Sequence, residues 1–228
     1  MTLSVAELFG SSVAFYRARL GLYLALGVVF VAVPSLVVAG SASVLPAWIG
    51  SVVQFALALF SGLLAVWMQA AAMMIARDDA VGTNPSVGKA LNEASARLLV
   101  LVGIAILLSL GVGIGFVFFV IPGLFLAVIW AVSLPAAALG GTGVVEAFQE
   151  SMRLTKGHRI TILVLFVLVF AVAVSVSVSV GLMIAVAGAP LLVALFNALF
   201  GAVSTTFIAV MLTVLYITLT RLAGEAAA

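Results

Sequence analysis

The residues best equipped for chemistry stand together in "GVVEAFQESMRLTKGHRI", residues 143 to 160, which holds two Glu, two Arg, one Lys and the only His of the chain. Glu146 and Glu150 are four apart, so on a helix they share a face, as a general acid and a general base would. His158 is the one imidazole, a side-chain type suited to carrying a proton. A metal site needs three or four ligands, and a hydrolytic centre needs a nucleophile with an orienting partner; one His and no Cys supply neither. Arg153 follows Glu150 by three residues, the spacing of an ion pair on a wet helix face. The plainer reading of the cluster is a solvated edge. Arg153, Lys156, His158 and Arg159 then form a basic strip suited to anionic lipid headgroups, each cation being worth about 1 kcal/mol near a charged membrane surface. There is no Gly-rich phosphate loop, HExxH or GxSxG. No catalytic residue, metal site or cofactor is therefore assigned.

What positions this edge is a membrane. Apolar residues make up 66% of the 228 and charged residues 7%, against roughly a quarter charged in soluble domains. Nine Lys and Arg against seven Asp and Glu leave a surplus too small to suggest nucleic acid. With about 20 residues needed per crossing, the chain reads as a single membrane domain over 1–228. Apolar runs lie at about 20–39, 49–76, 98–119, 121–139, 160–187 and 191–220, which predicts six spans and an all-α, polytopic transmembrane helical bundle. The first run lacks a small-residue cleavage site, so it is expected to remain. Pro122 and Gly123 divide the third run from the fourth, and Pro190 the fifth from the sixth.

Every charged residue falls before span one, between spans two and three, between four and five, or after six. With six spans these places share one side, and the positive-inside rule makes that side cytoplasmic, with both termini on it. The charged segments also resemble one another. Val5, Leu8, Phe9 and Ser12; Val87, Ala90, Leu91 and Ala94; and Val144, Ala147, Phe148 and Ser151 each trace one helical face. Ser4 with Glu7, Asn84 with Pro85, and Gly143 with Glu146 read as helix starts. The chain thus reads as three repeats of an interfacial amphipathic helix followed by a transmembrane hairpin, over about 1–76, 84–139 and 143–221.

Inside the spans the polar candidates are Gln54, Gln69 and Asn197, with Ser204, Thr205 and Thr206. Interhelical hydrogen bonding is their plainer role, and a substrate path their sharper one. The absence of intramembrane Asp, Glu, Lys, Arg or His argues against proton-driven transport. Ala171, Ser175 and Ser179, and Gly111 with Gly115, read as close-packing seams.

Three stretches, "IPGLFLAVIWAVSLP" (121–135), "EAFQESMRLTKGHR" (146–159) and "VLYITLTR" (214–221), resemble the bacterial glycerophosphoryl diester phosphodiesterase membrane-domain family and the related YciC-like integral membrane proteins. The pattern residues are Pro122, Gly123, Pro135, Ser151, Leu154, Gly157, Tyr216 and Arg221. The resemblance implies a multi-pass fold in the bacterial cytoplasmic (inner) membrane and hardly any chemistry, since a separate soluble domain performs the hydrolysis that names the family. Members often carry a basic and an acidic residue where Ile129 and Gly140 stand here.

The expectation is a protein that is not an enzyme and that binds or organises lipid, anionic above all, or a protein partner or second copy, at the cytoplasmic face. Two other readings stay open from the sequence. One is a transporter or lipid-handling channel with a cavity between repeats lined by Gln54, Gln69 and Asn197. The weaker is an enzyme acting on lipid headgroups through Glu146, Glu150 and His158.

Overall fold

A computed structural model of the chain describes residues 4–41, 46–186 and 188–225. Among them it is helical and without strands, a polytopic α-helical membrane bundle. Six helices are long and apolar enough to cross a membrane: Leu20–Ser41, Ile49–Ala80, Leu98–Phe118, Val120–Gly140, Arg159–Ile184 and Leu191–Gly224. These agree with the apolar runs of the sequence, and the protein is a multi-pass membrane protein. The uncharged connection at 42–45 and Ala187 lie outside the described residues.

Three short amphipathic helices precede the apolar pairs: α1 (Val5–Ala18), α5 (Val87–Ala96) and α9 (Val144–Thr155). The first pair is α2 (Leu20–Gly27) with α3 (Val33–Ser41), then α4 (Ala47–Ala80). A π-helical turn, Val28–Ala32, joins α2 to α3. Pro34 explains it: the ring has no N–H for the carbonyl four residues back and crowds it, and the extra residue per turn accommodates the mismatch. The second pair is α6 (Leu98–Phe118), then α7 (Val120–Ile129) and α8 (Ser133–Gly140); the third is α10 (Arg159–Val186) and α11 (Pro190–Glu225).

The centre of the molecule is built from the second member of each pair. Met68 to Ala76 of α4, Ser133 to Ala138 of α8, and the stretch of α11 around Ala209 to Leu219 bury most of their side chains together. Small residues let these helices approach closely, which is how helices associate where lipid competes equally for apolar surface. The amphipathic helices close around them: α5 packs on α4, α9 on α8, and α1 on α11. The faces expected from spacing are the ones buried. Leu8, Ala90 and Ala147 are buried, as are Ser12, Ala94 and Ser151 four residues on, while Phe9, Leu91 and Phe148 pack against the core.

Two local readings change. α5 starts at Val87 with Ser86 as its N-cap, so Asn84 and Pro85 lie ahead of the helix, and neither Ser4, Ser86 nor Gly143 makes a side-chain capping bond. The fourth apolar helix, Val120–Gly140, is interrupted at Trp130–Val132 between α7 and α8. Pro135 accounts for the place, because its ring would meet the carbonyl of Ala131 and offers it no donor.

Candidate functional site

The α9–α10 corner assembles most of the charged cluster. Gly157 turns it with φ +91, a left-handed conformation that a side chain strains. Glu150 and Arg153 pair as their spacing implied: Arg153 Nε donates to Glu150 Oε2 at 2.8 Å and Nη2 to Oε1 at 2.7 Å. The bond to Glu150 and its charge push the already high Arg153 pKa further up. Arg153 is thus neutralised by its own helix. Lys156, His158 and Arg159 have no acidic partner among the described residues. Lys156 is exposed, His158 and Arg159 half-buried. The Arg159 guanidinium lies 5.5 Å from the centre of the Phe125 ring, a cation–π distance, and its Nε is buried without a hydrogen bond.

Of the other cations four are engaged, while Arg17 and Arg221 are exposed with no ion pair among the described residues. Arg19 binds Asp79 at 3.0 Å, Arg77 reaches Asp78 at 2.8 Å and Glu93 at 3.5 Å, and Lys89 reaches Glu93 at 3.7 Å. Arg97 donates from Nη1 to the carbonyls of Ala138 at 2.6 Å and Ala137 at 3.3 Å. Those are carbonyls of the last turn of α8, which ends at Gly141 (φ 70); the Ala137 carbonyl also accepts the Gly141 N–H at 3.2 Å, and a cation there meets the negative end of the helix dipole. Arg97 is therefore part of the fold.

α9 does more than carry charge. Ser151, fully buried, spans the break in the fourth run: its Oγ accepts the Val132 N–H at 3.1 Å and donates to the Ile129 carbonyl at 2.9 Å. Thr155, also buried, donates from Oγ1 to the Ser151 carbonyl at 2.8 Å. Trp130 at the break stacks edge-on against Phe148 of α9 with centroids 5.0 Å apart. A Cβ on Gly111 would run into the Trp130 ring, and one on Gly115 would sit 2.8 Å from Gly123 Cα. The Gly111–Gly115 seam thus closes the α6–α7 hairpin within one chain, whereas Ala171, Ser175 and Ser179 are exposed along α10. No sequence signal short of Pro135 pointed to the break, and none tied Ser151 to it.

The intramembrane candidates do not converge. Gln54 and Gln69 lie half-buried on α4, fifteen residues and roughly 22 Å apart along its axis, and Asn197 is exposed on α11. A cavity of about 160 Å³ opens between α10 and α11 near Phe9, lined by Val169, Val172, Phe200 and Phe207 with Ser204 as its polar member. Gln54, Gln69 and Asn197 are not in its lining. Glu146 lies in the first turn of α9 and His158 three residues past its end, twelve residues apart. Among the described residues no group of three His, Asp or Glu could hold a metal. The chain matches no family model, no curated protein and no solved structure.

Proposed function

We propose that the protein is a non-enzymatic membrane protein that binds anionic lipid headgroups at the α9–α10 corner, through Lys156, His158 and Arg159, and so organises lipid at the cytoplasmic face of a bacterial inner membrane. The observation that carries this reading is the clustering: Lys156, His158 and Arg159 stand within four residues at one corner with no acid bound among the described residues, whereas Arg19, Arg77, Lys89 and Arg97 are engaged by acids or carbonyls and the unpaired Arg17 and Arg221 stand singly in the sequence. A phosphate placed there needs no acid displaced, and the stacking on Phe125 holds the Arg159 head in place. The threefold repeat belongs to the same proposal, supported by the equivalent burial of the three amphipathic faces and by their packing on α4, α8 and α11. So does kinship with the membrane-domain family named above, supported by the roles that Gly123, Ser151 and Gly157 take in the fold.

The test is ligand-linked stability. Adding phosphatidylglycerol to purified protein in mild detergent should raise the melting temperature, phosphatidylcholine should not, and Lys156→Gln with Arg159→Gln should abolish the difference. An equal response to both lipids, or an unchanged response in the double variant, would remove the site.

A further inference from the structure

We propose that the α6–α7 hairpin is embedded in the leaflet on the charged side and returns to that side without reaching the far one. α9 fixes the level. Its exposed face carries Glu146 and Arg153, with Lys156 just beyond its end, and such residues belong at the interface and not in hydrocarbon. α9 does not merely touch the base of the hairpin; it runs along it. A Cβ on Gly103 would lie 3.3 Å from Val144 at the start of α9. Phe148 meets Trp130, Ser151 bonds Ile129 and Val132, and Arg159 covers Phe125. In order along α9 and into the first residue of α10, these contacts advance from near the base of the hairpin towards its turn.

Phe125 is then level with a headgroup-facing Arg, and the turn at Phe119 is six residues beyond it, about 9 Å along a helix. Even with the Arg159 side chain stretched toward water, the turn falls well short of the roughly 30 Å of a hydrocarbon core. The two arms differ in length: α7 has 10 residues, roughly 15 Å, and α6 has 21, roughly 32 Å, so α6 lies well tilted from the membrane normal for the turn to stay within one leaflet. α7 packs on α6, α9 and α10.

The partner is the acyl-chain layer of the charged-side leaflet. Leu110, Val117, Phe118, Phe119, Val120 and Ile121 are exposed and apolar, and residues 110–129 contain no polar side chain. The turn suits that solvent. It is one extended residue, Phe119, whose N–H donates to the Gly115 carbonyl at 3.0 Å, while the Gly123 N–H donates to the Phe119 carbonyl at 3.4 Å and Pro122 has no N–H to leave bare. The charged segments before α6 and after α8 stay on one side, as the distribution of charge requires.

Because the chain has no Cys, single cysteines report the geometry in sealed vesicles. An impermeant maleimide should label Val186→Cys from the uncharged side and Ser86→Cys from the charged side, and leave Phe119→Cys unlabelled from either. A nitroxide at Phe119 should be reached by oxygen and shielded from a water-soluble nickel complex. Labelling of Phe119→Cys from the far side like Val186→Cys would show a full crossing, and labelling like Ser86→Cys would show a hairpin outside the bilayer; either overturns the proposal. Val117→Cys, 84% exposed, gives the same reading should the Phe119 variant fold poorly.

Discussion

Replacing Ser151 by Ala tests whether α9 holds the broken helix or only lies beside it. The hydroxyl is fully buried and serves two backbone groups, the Val132 N–H and the Ile129 carbonyl. A buried donor left without a partner costs about 1–3 kcal/mol, and the lost bond to the carbonyl adds about 1 kcal/mol at most. We expect a loss of about 2–3 kcal/mol, which for a chain of this size lowers the melting temperature by roughly 4–12 °C. Ser12→Ala is the control. Ser12 is just as buried, but its Oγ donates to the Leu8 carbonyl of its own helix at 2.7 Å, which that carbonyl's helical partner already shares. Its loss should cost about 0.5–1 kcal/mol. The assay is intrinsic-fluorescence melting in one detergent, with Trp130 beside the break as a local reporter. Equal shifts for the two variants would refute the assignment of Ser151 as the residue that satisfies the break.

Arg97→Met should destabilise by about 1.5–3 kcal/mol, since the carbonyls of Ala137 and Ala138 lose a charged donor; Arg97→Lys should recover part of it, and chemical or thermal denaturation compares the three. Gly157→Ala places a side chain at φ +91 and should cost about 1–2 kcal/mol, whereas Gly10→Ala, in open space on a helix, should be neutral or stabilising by up to about 1 kcal/mol. Tyr16 is buried, which pushes its pKa above the ordinary 10.0, with the bond to Thr206 offsetting part of the rise. The folded chain therefore keeps a proton that the unfolded chain releases, so this contribution is intact below about pH 10 and is lost as pH climbs toward the raised value. Melting curves from pH 9 upward should fall more steeply for wild type than for Tyr16→Phe.

Much of this architecture is legible in the residues because lipid imposes simple rules. Helices must satisfy their own backbone, so length and hydropathy locate the six apolar elements, and a period of 3.6 residues locates the faces of α1, α5 and α9 that end up buried. The Glu150–Arg153 pair follows from spacing alone, because it forms within one turn. What depends on distant residues is not legible. "VIWAVSLP" reads as continuous span; only Pro135 marks the break, and the hydroxyl that stabilises it comes from Ser151, nineteen residues on. Arg97 looks like any headgroup-facing cation until the end of α8 is brought to it, and Gln54, Gln69 and Asn197 look like a site until two of them are seen spread along α4 and the third facing outward. The basic edge itself was legible, but which of its members is free was not: Arg153 leaves it by pairing with Glu150, and Arg159 gains weight by stacking on Phe125.

The most direct measurement of the lipid-binding account is native mass spectrometry of protein released from a gentle detergent, counting bound lipid on wild type, on Arg153→Gln and on the Lys156→Gln, Arg159→Gln double variant. The account predicts phosphatidylglycerol or cardiolipin on wild type and on Arg153→Gln, and its loss from the double variant. Anionic lipid retained on the double variant as on wild type would contradict it.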